Sequence, residues 1–375
     1  MDAPVVLWEA WREQVKQLFP SLHGHQQKTL AWMVLGVVLA GNAVLQRMAE
    51  SLYGISPAKM PSIERRLARF VANDRIHVSP VWNTFLTDVL PYWRDRRVFL
   101  VLDCTPFDDR ATIVYVGLLV HSRVLPLAWQ VMPAQERWPE GQWVVVKRLL
   151  GQIAPHMMDA DCTLMADRGL VGWPLVQICQ EHRWHYLLRV RREHTCRRWM
   201  GRWTAWRALG QVITKPGQQW CGRVQLWQEA TLETHLSAVW DPAYQDAWLL
   251  ISDRKAGRQR MAEYAWRARV EATFLDSKSR GWRLEASRIA DRTRLDRLLL
   301  AVFLGIWWVA HLAAACLHNG YRSRFDRHDR RAKGIFRLGR LWLLDIVRRA
   351  KDRGTLLKCL PFQQRGTTWC FALRF

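Results

Sequence analysis

Residues 298–316 read LLLAVFLGIWWVAHLAAAC, an apolar run long enough to span a bilayer as a helix and free of acidic, Lys or Arg side chains. A helix that is apolar around its whole circumference must be enclosed on every side, by lipid or by protein. His311 lies inside the run, and no second stretch of this kind occurs. A buried central helix in a large soluble domain is therefore expected rather than a membrane span. Such a helix needs a substantial core around it. The chain has 375 residues, 50% of them hydrophobic, which is enough for a large core and for two or three folding units.

The charge balance narrows the partners. Lys and Arg number 56 against 33 Asp and Glu, a formal net charge of +23. That excess attracts polyanions, with nucleic acid first among them. Ten of the basic residues are Lys and the rest are Arg, whose planar fork fits phosphate oxygens and guanine edges. Eight Cys are scattered without a Cys-x2-Cys pair, so neither a zinc ribbon nor a redox motif is supported. The opening MDAPVVLWEAWREQ lacks the layout of a signal peptide. The expected location is a reducing cytoplasm, associated with the nucleoid.

The patterning changes along the chain. To about Tyr92 it reads as helical, with a break near Gly41-Asn42 inside Lys28–Tyr53 and a turn at Gly54–Pro57. Ser62 is expected to cap a following helix that shows Arg65, Arg66 and Arg69. Two helices about a Gly/Pro turn resemble a helix-turn-helix, although a basic solvated face reads equally well. From Arg97 the texture is that of strands: 98–102, 111–120, 124–132, 162–166 and 184–190, with helices over 141–153 and 173–182. This order predicts an α/β mixed sheet. Residues 191–248, rich in Trp and Arg, read as a β-rich insertion. A helix is expected over about 259–278.

The residues that carry chemistry lie at two strand ends and on that helix. Asp103 and Asp167 each stand at the end of a buried apolar run, where a carboxylate can hold a hard cation such as Mg²⁺. On one continuous helix, Tyr264, Arg267, Glu271 and Lys278 would fall within an arc of roughly 60°. The ordinary alternative is a solvated face with an Arg267–Glu271 ion pair at i, i+4. Two strand-end Asp residues together with a carboxylate flanked by cations favour a metal–phosphate site.

These residues resemble the signature of bacterial insertion-sequence transposases of the DDE type, the insertion-sequence-4 subgroup with Tyr-x2-Arg-x3-Glu-x6-Lys. The match is Tyr264, Arg267, Glu271 and Lys278, with Asp103-Cys104-Thr105 and Ala166-Asp167-Arg168-Gly169 similar to the two Asp motifs. The resemblance covers roughly residues 25 to 345. It implies a ribonuclease-H-like mixed sheet flanked by helices and interrupted by a β-rich insertion, with an N-terminal helical DNA-binding domain. The expected boundaries are 1–95 for the DNA-binding part, 96–190 with 249–345 for the catalytic part, 191–248 for the insertion and 346–375 for the tail.

The resemblance further implies that Asp103, Asp167 and Glu271 are catalytic and hold two Mg²⁺ or Mn²⁺ ions. Tyr264, Arg267, Lys278, Arg168 and Trp248 would contact DNA or phosphate, with Arg65, Arg66 and Arg69 in the N-terminal domain. Trp248 corresponds to a residue that stacks on a flipped base in relatives; an edge-strand core Trp reads nearly as well. Leu275 departs from the pattern, since some relatives carry a Lys there. The implied function is metal-dependent cleavage and strand transfer at the ends of an insertion sequence, by a homodimer acting on terminal inverted repeats and target DNA. The alternatives are a nuclease on the same core without strand transfer, or an inactive DNA-binding derivative.

Overall fold

The computed structural model describes residues 3–134, 138, 140–278, 281–329 and 333–349, except for the side chain of Lys278. The chain opens with five helices: α1 (Ala3–Leu18), α2 (Gly24–Ala40), α3 (Leu45–Leu52), α4 (Met60–Ala72) and α5 (Val78–Val89). Next come β1 (Arg97–Phe107), β2 (Ala111–Val120), β3 (Arg123–Pro133), α6 (Gln142–Ile153), β4 (Asp161–Ala166), α7 (Trp173–Glu181) and β5 (His185–Arg189). The Trp-rich segment supplies β6 (Thr195–Arg198), β7 (Arg207–Ala208), β8 (Gln219–Leu226) and β9 (Leu232–Val239), and leads into β10 (Trp248–Ser252). The chain then forms α8 (Arg258–Ala265), α9 (Arg269–Lys278), α10 (Arg292–His318) and α11 (Ile335–Arg349). The tail expected over 346–375 lies outside the described residues beyond Arg349.

The strands form one ten-stranded mixed sheet in the order β3-β2-β1-β4-β5-β10-β9-β8-β6-β7. β1, β4 and β5 run parallel; β2 and β3 are added antiparallel on one side, and β10 is antiparallel to β5 on the other. β10 pairs with both β5 and β9, so the insertion extends the central sheet instead of building a second one. Trp248 is the first residue of β10.

The apolar run lies within α10, and its most hydrophobic window is 94% buried inside the fold. Indole N–H groups, costly to bury unpaired, join this helix layer to the sheet. Trp307 Nε1 donates to the Pro126 carbonyl at 2.8 Å and Trp82 Nε1 to the Leu127 carbonyl at 2.6 Å. Trp129 Nε1 donates to Asp296 Oδ1 at 2.6 Å. The helices of residues 3–89 share the core of the sheet: buried residues of α1, α2, α4 and α5 are continuous with those of α10 and β3.

Three local expectations differ from the structure. Ser62 is not the α4 cap. The cap position is Lys59, and Pro61 occupies the first turn, where a missing N–H costs nothing. β1 does not stop before Asp103 but continues to Phe107, because β2 pairs with it as far as Phe107↔Ala111. The helix expected over 259–278 is broken by a 3₁₀ turn at Trp266–Ala268. The tighter winding there brings Arg267 to Asp103 while Trp266 keeps its edge against Phe99, with ring centroids 5.3 Å apart.

Candidate active site

The register of the sheet aligns the first two carboxylates. β1 and β4 are paired in parallel up to Leu102↔Ala166, and β4 and β5 up to Ala166↔Leu188. One step further along each strand stand Asp103, Asp167 and Arg189. Neighbouring strands are about 4.8 Å apart and paired residues share a face, so the three side chains form a row at the carboxyl ends of the parallel strands. That edge is where open α/β sheets take ligands.

The segment from Tyr264 to Glu271 closes over this row. Arg267 Nη2 lies 2.8 Å from Asp103 Oδ2 and 4.0 Å from Asp167 Oδ2, and Arg267 Nη1 lies 3.8 Å from Glu271 Oε1. One guanidinium therefore reaches all three carboxylates. Arg189 Nη1 approaches Asp167 from the other side at 3.7 Å. The Tyr264 hydroxyl donates to the Ala166 carbonyl at 3.3 Å and lies 3.4 Å from Asp167 Oδ1. Trp248 packs edge-on against the Tyr264 ring, with centroids 5.4 Å apart.

The helix carrying these residues is held by contacts on both sides. Buried Glu263 pairs with Arg97 at 2.7 Å and with Arg260 at 2.9 Å. Asp276 pairs with Arg123 at 2.7 Å, and Thr273 Oγ1 accepts the Val124 N–H at 2.9 Å. Arg269 donates to the His121 carbonyl. Glu263 and Asp276 thus point away from the carboxylate row and anchor the helix to β1 and to the β2–β3 hairpin.

Burial raises the proton affinity of Asp103 above the ordinary carboxylate value. Arg267 and the Cys104 N–H, 2.9 Å from Asp103 Oδ1, pull in the opposite direction, while the negative charges of Asp167 and Glu271 add to the rise. The Cys104 thiol is pushed up to about 12, first by burial and then by Asp103, which disfavours the thiolate. The Tyr264 phenol is likewise raised, chiefly by burial, and remains a donor.

The remaining residues divide. Glu271 is the outer carboxylate, with its side chain 68% exposed: the 3₁₀ turn sets Tyr264 and Arg267 inward and Glu271 at the solvent side of the row. Arg168 turns aside to pair with Asp246 at 2.9 Å. Lys278 ends α9, and its side chain falls outside the described residues. Arg65, Arg66 and Arg69 are exposed on α4; Arg66 and Arg69 line a separate cleft of about 320 Å³ with His25, Lys28 and Asn73. Arg189 and Arg123 were missed from sequence. Arg189 could have been found by the criterion used for the Asp residues, since it also ends a buried strand; nothing local marks Arg123 as the partner of Asp276.

The donor set consists of hard carboxylate oxygens converging on one positive charge, which suits Mg²⁺ or Mn²⁺. Among the described residues, no group of three His, Cys, Asp or Glu side chains closes on a common point within ligating reach. The three carboxylates meet through Arg267. No model of a known protein family matches the chain, and no curated protein matches it in sequence.

Proposed function

We propose that this chain is a metal-dependent DNA strand-cleaving and strand-joining enzyme, a transposase of the DDE type, with Asp103, Asp167 and Glu271 as its catalytic carboxylates. The observation that carries this reading is the convergence of Asp103 and Asp167, side by side where the parallel β1–β4 pairing ends, with Glu271 on a single guanidinium. The order β3-β2-β1-β4-β5, with β2 antiparallel between β1 and β3, supports a ribonuclease-H-like core. The net charge of +23 supports a DNA substrate. DNA recognition through the N-terminal helices is part of the same reading, with Arg65, Arg66 and Arg69 as phosphate contacts.

Asp103, Asp167 and Glu271 would hold the divalent ions. Bound there, such ions polarise the scissile phosphate and lower the proton affinity of the attacking water or 3′-hydroxyl. Arg267, released from Asp103, would offer its fork to a non-bridging phosphate oxygen in a charge-assisted contact. Arg189 balances Asp167 from the flank. Tyr264 would orient Asp167, and its ring packs edge-on against Trp248, which in this reading stacks on a base at the edge of the site.

The test uses DNA bordering the reading frame, including any inverted repeats, with Mg²⁺ or Mn²⁺. Wild-type protein should nick these ends and join them to a second duplex. Asp103→Asn, Asp167→Asn and Glu271→Gln should each abolish both steps and keep DNA binding. Nicking without joining would leave a nuclease, and binding with no cleavage would leave an inactive derivative.

A further inference from the structure

The face of the sheet that bears the carboxylates continues into the insertion. Leu250 pairs with Arg189 and with Ser237, and Ser237 pairs with Cys221. Directly paired residues share a face, so Asp167, Arg189, Leu250, Ser237 and Cys221 all point to one side. On β8 the same side carries Gln219, Arg223 and Gln225, and Arg197 of β6 pairs with Gln225. Gln219, Cys221 and Arg223 are exposed, whereas Val224 and Leu226, turned to the other side, are buried. This end of the face is therefore open to solvent, whereas Leu250 and Ser237, between it and the carboxylate row, are buried, and Ser237 Oγ accepts the Gly257 N–H at the start of α8.

The open face is built from alternating rings and guanidinium groups. Arg197 lies over Trp203 at 5.5 Å and over Trp206 at 5.1 Å, and Arg223 lies over Trp199 at 5.4 Å. Trp199 and Trp203 face one another across a turn at Gly201, with centroids 5.1 Å apart. Trp199 is 38% exposed and Met200, at the tip, is 61% exposed. Arg223 also pairs with Glu233. Among the described residues Arg197 has no carboxylate partner; its Nε donates to Gln225 Oε1 at 2.6 Å. One exposed ring, Trp199, and two half-buried rings, Trp203 and Trp206, beside Arg197 without a carboxylate partner are the combination that stacks bases and meets a phosphate chain.

We propose that this open end of the sheet face, formed by Arg197, Trp199, Trp203, Trp206 and Arg223, is a docking surface for single-stranded DNA, separated from the carboxylate row by the buried stretch at Leu250 and Ser237. The inference rests on the DNA-cleaving reading above for the identity of the strand. From β1 to β6 there are six strand spacings of about 4.8 Å, roughly 29 Å in a straight line. Trp248, half-buried at the start of β10, stands between the two regions. A strand-adding protein partner fits less well, because the free edge is the two-residue β7, too short to template pairing.

The test measures binding of a labelled single-stranded oligonucleotide of mixed sequence, and of its duplex, to the full chain without added metal, over a range of salt. Trp199→Ala with Trp203→Ala should weaken single-strand binding by roughly tenfold or more, and duplex binding far less. Arg197→Ala should lower the salt slope by about 0.7. Trp199→Phe, which keeps a stacking ring, should retain most of the affinity and controls for misfolding. Wild-type affinity and salt slope in the double Trp variant would overturn the proposal, as would a wild-type chain that binds neither oligonucleotide. Loss of single-strand binding in the Trp variant, with carboxylate variants that cleave like wild type, would leave the surface standing and remove the catalytic reading instead.

Discussion

Arg267 Nη2 and Asp103 Oδ2 are 2.8 Å apart, with side chains only 11% and 15% exposed, although 164 residues separate them along the chain. The pair fastens the Tyr264–Glu271 segment onto the sheet at the point where Asp167 and Glu271 also meet the guanidinium. Arg267 Nε is buried with no hydrogen-bond partner among the described residues, so the group is held by charge at its tip more than by a full set of bonds.

Removing that cation should be costly. Arg267→Ala leaves Asp103 buried beside two other carboxylates, and breaking one side of a buried pair costs about 3 kcal/mol or more. A urea midpoint should fall accordingly. Adding Asp103→Asn should recover part of the loss, since it removes the stranded charge. Strictly additive losses in the double variant would show that the two residues do not act as a pair.

Asp296 should limit stability at neutral pH. Burial raises its carboxyl to about 6 from an ordinary 3.8, only partly opposed by the hydrogen bond from Trp129 and the charge of Arg297. A raised acid favours the folded state when protonated. Its stabilising contribution is therefore complete below 3.8 and is lost as pH rises through about 6. Asp296→Asn keeps an acceptor for Trp129 and should stabilise the protein at pH 8 by at most about 3 kcal/mol, with the gain fading below pH 4. A gain that does not depend on pH would rule out titration as its source.

Which parts of this arrangement could be read from sequence follows from which forces are local. The runs around Val98–Leu102, 111–120 and 162–166 announced β1, β2 and β4 because buried strands need continuous apolar, β-branched residues, and the apolar run of α10 announced a core helix. The alignment of Asp103 with Asp167 was not visible, because it depends on the register between β1 and β4, set by pairing across more than sixty residues. The 3₁₀ turn at Trp266–Ala268 was missed for a related reason. Its causes, Phe99 under Trp266 and Asp103 before Arg267, lie on a distant strand, and a uniform period of about 3.6 residues cannot register them. Ser62 misled because its type suits a cap, while Pro61 beside it fixes the first turn.

Two glycines in helices should respond to alanine with opposite signs. Gly339 of α11 lies against α10, and a Cβ there would sit 2.0 Å from the Val309 carbonyl oxygen. Gly339→Ala must force the helices apart, and a loss of about 3 kcal/mol is expected from overpacking against backbone. Gly151 of α6 has nothing within 4 Å of an added Cβ. Gly151→Ala should gain about 0.5–1 kcal/mol from helix propensity alone. Thermal melts of the two variants check the contrast, and a neutral Gly339→Ala would mean that the α10–α11 contact is looser than described.

The charge of Arg267 also sets an expectation for divalent ions. The guanidinium neutralises the same oxygens that Mg²⁺ or Mn²⁺ would use, so cation and side chain would compete for Asp103. Protein stripped with chelator should melt higher when Mn²⁺ is added, by about 2.7 kcal/mol at a hundredfold excess over the dissociation constant. Asp103→Asn and Asp167→Asn should each remove most of that shift, because a neutral amide is a poor ligand for a hard ion. Arg267→Ala should instead bind Mn²⁺ more tightly than wild type, even though its metal-free form is less stable. That opposite pair of effects is the informative one: a merely structural Arg267 would lower stability with and without Mn²⁺ alike. Equal Mn²⁺ affinity in wild type and Arg267→Ala would show that Arg267 does not compete with the ion, and an undiminished Mn²⁺ shift in Asp103→Asn and Asp167→Asn would show that these carboxylates do not form the ion site.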